Sequence, residues 1–212
     1  MSMIRKAILL GAMLALGACG SVETVTRNAP VTLEAPAPVQ AAETYAIADF
    51  TISVPRSLRV SEANRYYPAA DIVWHGEPLG DRHKQVAELF RQGLEKARPL
   101  TAEGVPALLD IEVKRFHGIT HRARYTTGGV HSITFTLTLR DPETGAPLAE
   151  PKRIRADLRA FGGARAIAAE NNGITQKVRI VDHLGKVFAT ELTDPEGYRG
   201  VNTGLYGLIN LL

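Results

Sequence analysis

His75, Asp81 and His83 flank the glycine-bounded turn 76–80, and Glu77 lies inside it, so two imidazoles and two carboxylates fall in one short stretch. An imidazole beside a carboxylate is the pairing that general acid–base hydrolysis uses. Asp81 has a competing task, because it directly precedes a helical pattern and suits the N-cap position. His117 and His121 stand four apart, a spacing that puts two metal ligands on one face of a helix. Asp110, Glu112 or His131 are candidates for a third ligand. Gly118, however, interrupts the pair at a strand end, and no zinc-type motif fixes a third ligand, so solvent-exposed loop histidines without a metal are the expectation. No Gly-x-Ser-x-Gly elbow is present. Thr127-Gly128-Gly129 and Phe161-Gly162-Gly163 lack the spacing of a phosphate loop and read as turns or bulges. The expectation is therefore a protein without catalysis, metal or cofactor, with a hydrolase built on His75, Asp81 and His83 as the alternative.

Binding has better candidates. Tyr66, Tyr67 and Trp74 concentrate aromatic area in one loop-rich segment, 57–80. Aromatic loops line partner-binding grooves or cap the open end of a core, and sequence leaves both readings open. The stretch from Lys114 to Tyr125 is dense in Arg, Lys and His, which fits either contact with anionic headgroups or a solvated strand end.

The chain begins with a basic segment carrying Arg5 and Lys6, an apolar run over 7–18, and then Cys19. That is the order of a secretory leader, and the run is too short for the ~20 residues that a membrane span needs. Leu16-Gly17-Ala18-Cys19 resembles the bacterial lipobox. The resemblance implies cleavage before Cys19, acylation of its thiol and amine, and a lipid-anchored protein. Cys19 is the only cysteine, which fits an acylated thiol and excludes an internal disulfide. Gly20, where the enteric version of the system resembles an inner-membrane retention signal when aspartate follows, points to the periplasmic face of the outer membrane. Loss of Arg5 and Lys6 with the leader takes 25 basic residues to 23 against 22 acidic, a net charge of +1. Such a balance, in that compartment, excludes nucleic acid as an expected partner.

Residues 19–44 are rich in Ala and Pro without apolar periodicity and read as a tether. Residues 45–195 are the size of one domain, and 196–212 form a Gly-rich tail. Strands are expected over 46–54 (Ala48, Phe50, Ile52 and Val54 inward), 108–116, 130–140 and 152–161. In 130–140, Ile133, Phe135, Leu137 and Leu139 face a core while Ser132, Thr134, Thr136 and Thr138 face water. Helices are expected over 82–97, buried through Val86, Leu89, Phe90, Leu94 and Ala97, and over 174–192, buried through Ile174, Val178, Val181, Leu184, Phe188 and Leu192. A short helical piece over 164–170 falls between. One apolar face per strand and one stripe per long helix give an α+β two-layer sandwich, a mostly antiparallel sheet with two main helices on one face.

The globular part is similar to a family of uncharacterised lipoproteins of marine and phototrophic alphaproteobacteria. The likeness rests on Val54-Pro-Arg-Ser-Leu, Val60-Ser-Glu-Ala-Asn, Tyr67-Pro-Ala-Ala-Asp-Ile-Val-Trp74, Gly80-Asp-Arg, Ala123-Arg-Tyr, Gly128-Gly-Val-His-Ser132 and Ala160-Phe-Gly-Gly-Ala-Arg165, across 45–192. That resemblance implies no activity. In element order alone the domain also resembles auxiliary lipoproteins of envelope transport systems. The expected role is that of a membrane-anchored accessory protein binding an envelope protein or lipid.

Overall fold

The computed structural model describes residues 44–200. Cys19, the tether as far as residue 43 and the tail beyond residue 200 lie outside the described residues.

The first strand, β1 (Tyr45–Ser53), runs parallel to β3 (Val105–His117). Parallel neighbours need a long crossover. Here it comprises the 57–80 loop with the two-residue strand β2 (Ile72–Val73), then helix α1 (Arg82–Ala97) and a 3-10 turn, Arg98–Thr101. Asp81 caps α1 by accepting from the Lys84 amide at 3.2 Å. α1 ends two residues before Pro99, and the chain continues as that 3-10 turn with Pro99 in its first positions. β3 is antiparallel to β4 (Gly129–Arg140), and β2 pairs in parallel with the end of β3 that β1 leaves free. β5 (Lys152–Arg155) and β6 (Leu158–Ala160) follow β4 antiparallel, giving a path β1-β3-β4-β5. Between β3 and β4 sits the four-residue helix α2 (His121–Arg124). Helices α3 (Gly163–Asn171) and α4 (Gln176–Thr193) follow the sheet.

The core lies between one face of this sheet and the two long helices. Phe90 of α1 is fully buried, with its ring 5.3 Å from Phe135 of β4 and 6.2 Å from Phe188 of α4. Two glycines set the helix–helix spacing: a Cβ on Gly93 would stand 2.7 Å from the Leu184 Cβ, and one on Gly185 3.3 Å from the Gly93 carbonyl. Either contact is inside normal packing distance, so α1 and α4 meet nearly backbone to backbone. On the sheet's opposite face Asp110 pairs with Arg140 at 2.6 Å and Glu112 with Lys114 at 2.7 Å.

Four expectations are corrected. In β1 the register slips between Ile47 and Asp49, so Ile47 turns inward and Ala48 is exposed. In α4 the buried stripe is Ile180, Val181, Leu184, Val187, Phe188 and Leu192, whereas Ile174 and Val178 are exposed. The helix starts later than its apolar pattern, because Thr175 caps it by accepting from the Val178 amide. Ser132 and Thr134 are buried rather than water-facing. Their register partners are His117 and Arg115, and Tyr67 stacks on the first and bonds the second, so the 57–80 loop roofs that end of the open face.

The fourth correction is the expected strand 152–161, which is split at Asp157. Its register with β4 is the same on both sides of the break. At the break the Ile133 amide donates to Asp157 Oδ1 at 3.1 Å instead of to a ladder carbonyl. The Ala156 carbonyl is thereby left for His183 Nε2 of α4, at 3.1 Å. Asp157→Ala should strand a buried amide and lower stability by about 1.5–3 kcal/mol, whereas Asp157→Asn, which keeps an acceptor, should lose less. Urea denaturation of the two variants checks the order.

Candidate functional site

Loop 57–80 is held to the body by Arg82, a buried guanidinium at the start of α1. It donates to both Glu62 oxygens (2.7 and 2.9 Å), to the carbonyls of Glu77 and Pro78 and to Gln85 Oε1. The Arg82 bond in turn holds the Glu62 carboxyl below its usual pKa. A loop fixed by this many charge-assisted bonds presents its side chains in set positions.

Trp74 is fully buried, edge-on to Phe116 at 5.6 Å, and donates its indole N–H to Glu77 at 2.8 Å. It belongs to the core and offers no surface to a partner. Tyr66 and Tyr67 are 51% and 44% exposed. The Arg122 guanidinium stands 4.8 Å from the Tyr66 ring centre, within cation–π range. Hydrogen bonding from Thr126, then Arg122, lowers the pKa of the Tyr66 hydroxyl. Tyr67 stacks on His117 with centroids 4.5 Å apart and accepts from Arg115 at 2.8 Å. His117 Nε2 lies 2.8 Å from the Pro68 carbonyl, so it carries the proton, and burial lowers the ring's pKa.

The two tyrosines and His117 border an apolar slot of about 190 Å³, floored by Ile119, Ala123 and Val130 and by the backbone of glycines 118, 128 and 129. Gly128 is required there. It has φ +72°, and a Cβ on it would come within 2.9 Å of the Gly162 amide. The two glycine pairs seen in the sequence are thus one feature, two chain segments in close contact beside the slot.

The expected acid–base group is only partly assembled. Asp81 receives two bonds from Arg56, at 3.0 and 2.7 Å, besides capping α1, and Arg56 foremost holds its pKa down to about 2. His83 Nδ1 is 3.9 Å from Asp81, and its Nε2 bonds the Leu58 carbonyl. His75 is turned instead to His121, ring centres 5.1 Å apart. His117 and His121 do not meet, since His117 lies against Tyr67 and His121 against His75 and Tyr125; contrary to expectation His117 is buried at the end of β3, and His121 alone of the pair is exposed. Among the described residues no three His, Cys, Asp or Glu side chains are grouped as metal ligands.

On the other side of α2 lies a second cleft, of about 500 Å³, bordered by His75, Glu77, His121, Arg124, Glu170 and Lys177 among others. Arg124 is buried and ion-paired with Glu170; Lys177 bonds Glu77 at 2.7 Å. In the sequence Arg124 stands in the basic stretch and in the Ala123-Arg-Tyr motif without a site role, and nothing singles out Lys177 or Glu170. No motif carries them, because α2, α3 and α4 meet only in the fold.

The architecture is that of an α+β domain with an open sheet covered on one face by two helices, bearing an aromatic slot and a polar cleft on either side of a single short helix. Its sequence over residues 45–207 matches the family of unknown function DUF6778, and the chain belongs to that family. No curated protein matches it. Among solved structures it is similar to a "putative lipoprotein" from Caulobacter crescentus CB15, at 17% identity and TM-score 0.33, over 53% of this chain and 84% of that one. It is also similar to a DUF330-family protein from Xanthomonas campestris, at 13% identity and TM-score 0.40, over 73% and 85%. No helix among the described residues is long and apolar enough to cross a membrane.

Proposed function

We propose that this protein is a non-catalytic accessory lipoprotein of a bacterial, alphaproteobacterial-type envelope, held by acylated Cys19 at the periplasmic face of the outer membrane. Residues 1–18 are its leader and 19–44 its tether, and it binds an envelope protein or lipid through Tyr66 and Tyr67. The observation that carries the binding role is the pair of half-exposed tyrosines fixed at the mouth of an apolar slot. Both rings are braced by cationic neighbours, so little side-chain freedom remains to be lost on contact, a property that favours aromatic anchors at interfaces. Against the hydrolase reading stands Asp81, whose carboxylate is already occupied by Arg56 and the α1 cap.

A photo-reactive amino acid placed at Tyr66 in living cells should give one discrete cross-linked product, lost when Tyr67→Ala is added. The double variant Tyr66→Ala, Tyr67→Ala should lose the interaction and yet unfold within about 1 kcal/mol of the parent, since both rings are surface-exposed. A product pattern the same as that from an exposed position remote from the slot, such as Leu100, would sink the binding role. Cell fractionation of Cys19→Ser tests the anchor separately: the protein should leave the membrane fraction, and retention there at full length rejects lipidation.

A further inference from the structure

The cleft bounded by α2, α3 and the start of α4 has walls short of hydrogen-bond acceptors. Arg124 is 4% exposed and its Nε, which can only donate, has no partner. His75, 8% exposed and also bordering the cleft, has an unpartnered Nε2, which donates in one of the ring's two neutral tautomers. Arg124 is ion-paired with Glu170 and stands 5.9 Å from the Tyr125 ring centre, and burial lowers its pKa. Glu77, the other carboxylate on the cleft, is engaged by Lys177 and by the Trp74 indole. Thr175 and Lys177 also border this space, the first as the N-cap of the 18-residue helix α4 and the second in its first turn. The Thr175 hydroxyl takes the Val178 amide, but the amides of Gln176 and Lys177 have no partner within the helix. The positive end of the helix dipole therefore reinforces the same shortage.

We infer that this cleft binds a phosphate-type oxyanion, held between Arg124, Lys177 and His121 and the N-terminus of α4. A tetrahedral oxyanion supplies several acceptors at once, where the Arg124 Nε has none. At about 500 Å³ the space admits a phosphorylated head with a small substituent rather than a bare ion alone. Among the described residues the walls hold no three His, Cys, Asp or Glu side chains grouped as metal ligands. The site is separate from the tyrosine slot. α2 divides the two, with Ala123 on the slot side and His121 and Arg124 on the cleft side.

The test is a titration of the full-length protein in non-ionic detergent with sodium phosphate, against sodium chloride at matched ionic strength, followed by amide NMR. Phosphate should give saturable shifts centred on Thr175 to Lys177 and His121. Arg124→Gln should abolish them, and His121→Ala with Lys177→Gln should weaken binding at least tenfold. If Arg124→Gln fails to fold, the double variant decides, since it alters only residues that are not buried. Tyr66→Ala with Tyr67→Ala should leave the titration unchanged, so that failure of the slot and failure of the cleft are told apart. Glycerol 3-phosphate and water-soluble dihexanoylphosphatidylglycerol then separate the sources. Tighter binding of the first identifies a free phosphate ester and of the second a lipid headgroup, and either supports the site. Shifts reproduced by chloride, or dispersed over basic surface residues without saturation, mark an adventitious ion only and overturn the inference, as does full binding by the double variant.

Discussion

Trp74→Ala should destabilise the protein by about 3–5 kcal/mol, enough to leave a domain of ordinary stability partly unfolded. The indole is fully buried and packs edge-on against Phe116, which in turn lies against Phe90 at 6.4 Å. Its N–H is also spoken for, and its loss frees Glu77, leaving only Lys177 bonded to that carboxylate. The backbone has been shaped to the ring. A Cβ on Gly76 would fall inside the Trp74 six-membered ring's contact distance, and one on Gly118 would come within 3.3 Å of it, so these segments close over the indole and do not refill the space when it goes. Trp74→Phe, which keeps an aromatic ring but no N–H, should lose less than the alanine variant. Urea denaturation measures both. The comparison also separates Trp74 from its loop neighbours, since Tyr66→Ala and Tyr67→Ala are expected to affect binding and not folding. A Trp74→Ala protein as stable as the parent would show that the indole is dispensable to the core.

The same contrast shows how far residue patterns reach. Tyr66, Tyr67 and Trp74 are one aromatic segment in the sequence, and the structure divides it by residue: Trp74 lies in the core while Tyr66 and Tyr67 stand exposed at a slot. What separates them is the short strand β2, whose two residues pair with Phe116 and His117 and carry Trp74 inward. A two-residue strand is too short to register as periodicity. By contrast α1, β4 and the two-layer class were legible, since long amphipathic patterns dominate local structure there. The parallel β1–β3 pairing was not, because pairing direction depends on the route of the crossover. Asp157 was hidden for a related reason: it sits at an alternating outward position, yet its carboxylate replaces a ladder acceptor. The polar cleft is assembled from the 57–80 loop, α2, α3 and the start of α4; His75, Glu77, His121 and the basic stretch around Arg124 stood out in the sequence, but nothing there showed that they meet.

Acid should destabilise this fold well before its carboxylates are protonated. Of the six histidines, four (His75, His117, His131 and His183) have pKa values below the usual one, and burial is the leading cause in each. His131 is the extreme case. Its ring is fully buried on β4, Nδ1 accepts from the Ile119 amide at 3.3 Å, and Nε2 has no partner. It is faced by Arg179 and His183 from α4, Arg124 from α2 and His117 from β3, all of which oppose a proton, and its pKa falls to about 3. A histidine in the unfolded chain titrates near 6.5. Between those values the unfolded state binds the proton and the folded state does not, so the contribution of His131 is complete above the unfolded pKa and is lost as pH falls through that window. The slope is about 1.4 kcal/mol per pH unit for one proton. His75, His117 and His183 steepen it in the same direction. Asp81, with its pKa at about 2, adds a further loss only below the ordinary carboxylate range, also on the acid side. Denaturation midpoints measured from pH 8 to pH 5 should therefore be level at the alkaline end and fall increasingly below about 6.5. His131→Gln, which keeps an acceptor for Ile119 but cannot titrate, should make the fall shallower by about one proton even if the variant is less stable throughout. A parent protein equally stable at pH 5 and pH 7.5 would mean that these rings take up protons in the folded state, and that the interior around β4 and α4 is open enough to solvate them.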